Sequence, residues 1–74
     1  MNTPHYSMLI EWGDEDQALL VSFPEWAGYV AQPVTHGDTH EEAARKGYEV
    51  LENLMATARN EGEPLPTPKI HAAS

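Results

Sequence analysis

At 74 residues the chain has room for one small domain. Twelve acidic side chains against four basic ones leave a net charge of −8, which lacks the basic stripe of a phosphate-backbone binder and suits attraction to a basic partner. Hydrophobic residues at 41% are enough for a core, no apolar run nears the roughly 18 residues of a membrane span, and zero cysteine excludes disulfides and thiolate metal sites.

Residues Met1 to His5 lack the basic and apolar regions of a secretory signal, and the missing cysteine fits a reducing cytoplasm. Cytoplasmic location without membrane attachment is therefore expected. A chain this short buries only about 60% of its unfolded surface, so a homodimer or higher homo-oligomer is expected as a route to stability.

From Tyr6 to Trp12 the sequence alternates, with Tyr6, Met8, Ile10 and Trp12 on one side and Ser7, Leu9 and Glu11 on the other. That is the period of a half-buried strand. Ala18 to Phe23 repeats it, and the Gly-led polar stretch Gly13 to Gln17 reads as the hairpin loop between them. Pro24, without an amide hydrogen, ends the second strand, and Gly28 suits a positive φ in the turn that follows. Tyr29 to Val34 reads as a third strand, confined by Pro33 to an edge or bulge.

Gly37-Asp38-Thr39 opens a helix of roughly twenty residues. Thr39 with Glu42 fits a capping box, in which the hydroxyl accepts an orphan amide and the carboxylate reaches back; Asp38 is a competing cap. Ala43, Gly47, Leu51, Leu54 and Ala58 form an apolar stripe, widened by Ala44, Val50 and Met55. Pairs Glu41–Arg45 and Glu42–Lys46 fall at i,i+4 on the polar side. Gly62 stops the helix, and Pro64, Pro66 and Pro68 follow. The expected fold is α+β, a two-layer β-β-β-α arrangement in which one helix covers a small antiparallel sheet. Residues 1–68 form a single domain in this reading, with a short fourth strand around Leu65 and a mobile tail at 69–74.

The order Tyr6-x-x-x-Ile10-Glu11, a short acidic loop, Phe23-Pro24-Glu25, Gly28, Gly37-Asp38-Thr39, Glu42-Ala43, then Gly62 with Pro66 and Pro68 resembles the HicB-like antitoxin domain. The resemblance runs from about Tyr6 to Pro68. It implies a truncated RNase H-like fold and a partner, a small basic HicA-like ribonuclease toxin that the domain binds and silences. Many members also carry a C-terminal DNA-binding segment; this chain runs only a short way past Gly62, so no direct nucleic acid binding is expected. The stretch Tyr29 to His36 is longer than the family pattern.

No catalytic, metal or cofactor residue is assigned. Asp14-Glu15-Asp16 lacks calcium-loop spacing, and Gly37 with the Thr39 cap separates His36 from His40. An RNase H-type nuclease needs converging carboxylates around two metals, and Glu11 is the one acid inside a strand. Mid-helix Gly47 is read as a point of close approach to Trp12 or Tyr6. With the helix over the Met8, Ile10, Val21 and Phe23 side, Leu9 and Leu20 lie on the uncovered sheet face. Together with Trp26 in the turn, they form the candidate partner or dimer surface.

Overall fold

The computed structural model describes residues 5–69; the expected mobile tail at 69–74 lies outside them except for Lys69. Strands β1 (Leu9–Gly13) and β2 (Ala18–Ser22) form an antiparallel hairpin with Ile10 opposite Val21 and Trp12 opposite Leu19. A short strand β3 (Thr35–Gly37) pairs antiparallel with the other side of β2, and the helix α1 (His40–Asn60) follows. The result is a three-stranded sheet in the order β1-β2-β3 with one helix packed on it, an α+β fold. Among the described residues no helix is long and apolar enough to cross a membrane.

Regular pairing of β1 begins at Leu9 rather than Tyr6, because the amide of Ser7 donates to the Glu25 carboxylate instead of to β2. At the hairpin, Gly13 belongs to β1 and the positive φ falls on Gln17. Gly13 is needed for another reason: a Cβ there would lie 2.6 Å from Leu20 Cδ1, so the Leu20 side chain occupies that space.

The third strand is displaced from Tyr29–Val34 to Thr35–Gly37. Pro33 has no amide to give a ladder, and Gln32 satisfies Phe23 with its side chain, accepting from the Phe23 amide at 3.1 Å and donating to its carbonyl at 3.0 Å. The amides of Tyr29 and Val30 both turn to the Trp26 carbonyl. Sheet bonding resumes where Val34 donates to the Val21 carbonyl.

The core lies between β2 and α1. Val21 and Phe23 are fully buried, and Leu19, Trp26, Ala43, Leu51 and Met55 surround them. Each large side chain so buried contributes about 1.5–3 kcal/mol. Gly47 brings the helix against Met8 and Val21, whose nearest atoms lie 2.9 and 3.1 Å from where a Cβ would sit. The expected neighbours were Trp12 or Tyr6. Trp12 is instead 56% exposed, because the helix lies chiefly over β2 and β3. On the polar side Arg45 pairs with Glu49 at 3.1 Å rather than with Glu41; such an exposed pair contributes little.

Past the helix, Gly62 takes φ +70° and the amides of Gly62 and Glu63 return to the Arg59 and Ala58 carbonyls. This double bond pattern is a Schellman stop. The segment after it is extended but forms no fourth strand among the described residues. It is tied down differently: the Tyr6 hydroxyl donates to the Pro66 carbonyl at 2.6 Å, and the Lys69 amide donates to Glu25 at 2.8 Å.

Candidate functional site

The residues Gly37, Asp38, Thr39 and Glu42 make the joint between β3 and α1. Thr39 is the N-cap, its hydroxyl accepting from the Glu42 amide at 3.0 Å. The Glu42 carboxylate reaches back one residue further than a standard capping box, accepting from the Asp38 amide at 2.7 Å. That amide, followed by weaker charge effects from Lys46 and others, holds the Glu42 carboxyl below its ordinary value despite some desolvation. Gly37 is buried against the first turn, where a Cβ would fall 2.6 Å from the Ala43 nitrogen. The joint therefore satisfies its own polar groups and holds the helix close to the sheet.

The sheet face away from the helix carries Leu9, Glu11, Leu20, Ser22 and His36, since directly paired residues share a face. Leu9 is 45% exposed and Leu20 half-buried. Beside Leu20 lies a shallow cleft of about 330 Å³ bordered by Asp16, Pro33, Val34, Thr35 and His36. The expected grouping of Leu9 and Leu20 on an uncovered face matches this geometry. Trp26 does not join them: it is 3% exposed and sits in the core, edge-on to Tyr6 at 5.5 Å and to Tyr29 at 6.0 Å. Pro24 starts a single 3-10 turn that rolls the indole inward under the helix, which a flat reading of the turn does not anticipate. The buried Trp26 Nε1 has no hydrogen-bond partner among the described residues. A second cleft, of about 280 Å³, runs from Trp26, Tyr29 and Val30 to the helix end at Glu61. At its rim the Glu61 carboxyl is held above its ordinary value by a side-chain hydrogen bond with Glu63 and by that residue's charge.

Glu25 is the polar centre that the sequence reading gave no role. Its carboxylate accepts from the Ser7 amide and hydroxyl and from the Lys69 amide, clasping the segment before β1 to the segment after α1. Desolvation alone raises its pKa; the hydrogen bonds from Lys69, its own backbone and Ser7 together outweigh that and lower it. Tyr6 beside it is raised, first by desolvation and then by the charge of Glu25. A Glu after a turn-starting Pro was the available signal, but its partners lie 18 and 44 residues away.

Among the described residues no three His, Cys, Asp or Glu side chains gather as a metal site. Glu11 projects from the open face without a second carboxylate opposite it, its paired neighbour being Leu20. No family model, no curated protein and no solved structure matches the chain.

Proposed function

We propose that this chain is a non-catalytic, cytoplasmic protein-binding domain of HicB-like type that binds and inhibits a small basic HicA-like ribonuclease. The observation that carries the reading is the display of charge. All Asp, Glu, Lys and Arg residues fall within the described residues, and no charged side chain there is buried, so the net −8 is presented to solvent. Glu41, Glu49 and Glu52 line the exposed side of α1. Such a surface steers a basic partner and repels free RNA. The β-β-β-α order and the seating of the Gly-Asp-Thr motif at the sheet–helix joint support the kinship.

The test mixes the purified chain with the basic ribonuclease encoded beside it. The chain alone neither cleaves RNA, with or without divalent metal, nor retards RNA or operator DNA on a gel. Added to the ribonuclease, it suppresses cleavage stoichiometrically, and association slows as salt rises, because steering is screened over roughly 8–10 Å at physiological ionic strength. Charge reversal at Glu41 and Glu49 lowers the on-rate. Metal-dependent cleavage by the chain itself would make it a nuclease. Failure to bind at micromolar concentration and low salt would leave a stand-alone oligomeric domain without a toxin partner.

A further inference from the structure

We propose that the outer edge of β1 pairs antiparallel with β1 of a second copy, joining the two sheets across a two-fold axis. The inference is independent of the ribonuclease reading. It starts from which backbone groups face outward. The Val21 carbonyl accepts from Val34, so Val21 turns its backbone groups toward β3. In an antiparallel ladder a residue's amide and carbonyl point the same way and alternate along the strand. Ile10, the partner of Val21, therefore turns its own groups away from β2, and so does Trp12. Ser7 confirms the alternation, since its amide reaches Glu25 on the β2 side, which leaves Met8 facing out. Among the described residues β1 pairs with β2 alone.

This short edge has one of the devices that keep edges apart, the charge of Glu11, and lacks the others. It has no Pro, no Lys and no bulge, and Leu9 and Trp12 stand 45% and 56% exposed along it. The occupant follows from register. Two-fold pairing that uses the outward groups has two close solutions. Ile10 opposite the partner's Trp12 sets Glu11 against the partner's Glu11, a like-charge contact that destabilises. Ile10 opposite the partner's Ile10 instead sets Met8 against the partner's Trp12 on the helix side and Leu9 against the partner's Glu11 on the open side. Sulfur meets an indole, and the two Glu11 side chains stand diagonally across the axis instead of directly opposite each other. The strand is thus complementary to itself in one register, as an isologous contact requires. A five-residue edge lies at the small end of interface sizes, and two copies of charge −8 repel. The dimer is therefore reversible, on the order of micromolar, and tightens as salt rises. The ribonuclease encounter has the opposite salt dependence, so the two readings fail separately.

Sedimentation of the full chain across concentration and salt reads the dimer. Trp12→Lys gives monomer with unchanged circular dichroism. A second measurement leaves Trp12 and the fold intact: the chain has no cysteine, so Leu9→Cys and Glu11→Cys variants carry one thiol each. Residues opposite in this register lie about 4.5 Å apart at Cα, within disulfide reach. The two variants mixed under oxidation give covalent dimer well above the yield of either alone. A chain that stays monomeric at high concentration and high salt overturns the proposal. So does a dimer that survives Trp12→Lys and dissociates with Leu20→Glu, or a mixture that fails to cross-link.

Discussion

Removing the Glu25 carboxylate tests how the segments at Ser7 and Lys69 are held together. Glu25→Ala deletes the acceptor for three donors, the Ser7 amide, the Ser7 hydroxyl and the Lys69 amide, at 2.8–3.1 Å. Hydrogen bonds to a charged group contribute about 1.5–3 kcal/mol, but the Ser7 bonds are only part-buried, the Lys69 bond is exposed and water replaces some of the loss, so about 2 kcal/mol overall is expected. In a domain of this size 1 kcal/mol moves Tm by about 4–8 °C, so the melt falls by roughly 8–16 °C at neutral pH. Glu25→Gln keeps one oxygen acceptor and lies between. The pH dependence has a definite sign. The folded carboxyl is held below its ordinary value, so its contribution is complete above the unfolded pKa of about 4.3 and disappears as pH falls through the folded value. Thermal melts followed by circular dichroism from neutral to acid pH should therefore converge for wild type and Glu25→Gln at low pH. In parallel, amide exchange at Ser7 and Lys69 should speed up in Glu25→Ala. A melt lowered by less than about 2 °C, with unchanged exchange at both amides, would refute the clasp.

Thr39→Ala should cost about 1 kcal/mol and lower Tm by about 4–8 °C, because Thr39 is the cap; Asp38→Ala should change little, since Asp38 contributes its backbone amide. Equal losses from the two would put the helix start elsewhere. Gly37→Ala should destabilise by about 1–3 kcal/mol, as the new Cβ meets the Ala43 backbone, which has no room to yield. Gly47→Ala should be much milder, because the Met8 side chain can swing aside and the helix gains about 1 kcal/mol of propensity. Denaturant titration of both variants would expose a reversed order. Leu9→Glu with Leu20→Glu should keep the helical circular dichroism, since both project from the face without the helix; loss of the fold would mean that this face belongs to the core.

The local features of this chain are written in its sequence. Alternation in Tyr6–Trp12 and Ala18–Phe23 marks the hairpin, whose paired residues are Leu9–Gly13 and Ala18–Ser22, and Thr39, the apolar stripe and Gly62 mark both ends and the inner face of α1. Each is set by neighbours within about five residues, where rotation per residue and a single cap decide the geometry. The same alternation separates Leu9 and Leu20 from Val21 and Phe23, so the uncovered sheet face was legible too.

What stayed hidden depends on residues far apart in the chain. Tyr29–Val34 has strand-like composition, yet the ladder passes to Thr35–Gly37 because the Gln32 side chain serves the Phe23 backbone first. Trp26 looks like an exposed turn residue until Tyr6 and the helix close over it. Glu25 looks like any surface acid until Ser7 and Lys69 arrive on either side. Short-range order is thus carried by backbone preference and period, which the sequence by itself determines. The placement of Gln32, Trp26 and Glu25 was decided only by the tertiary structure, because a side chain's partner across the fold is chosen by which donors and apolar surfaces the packing brings within a few ångströms.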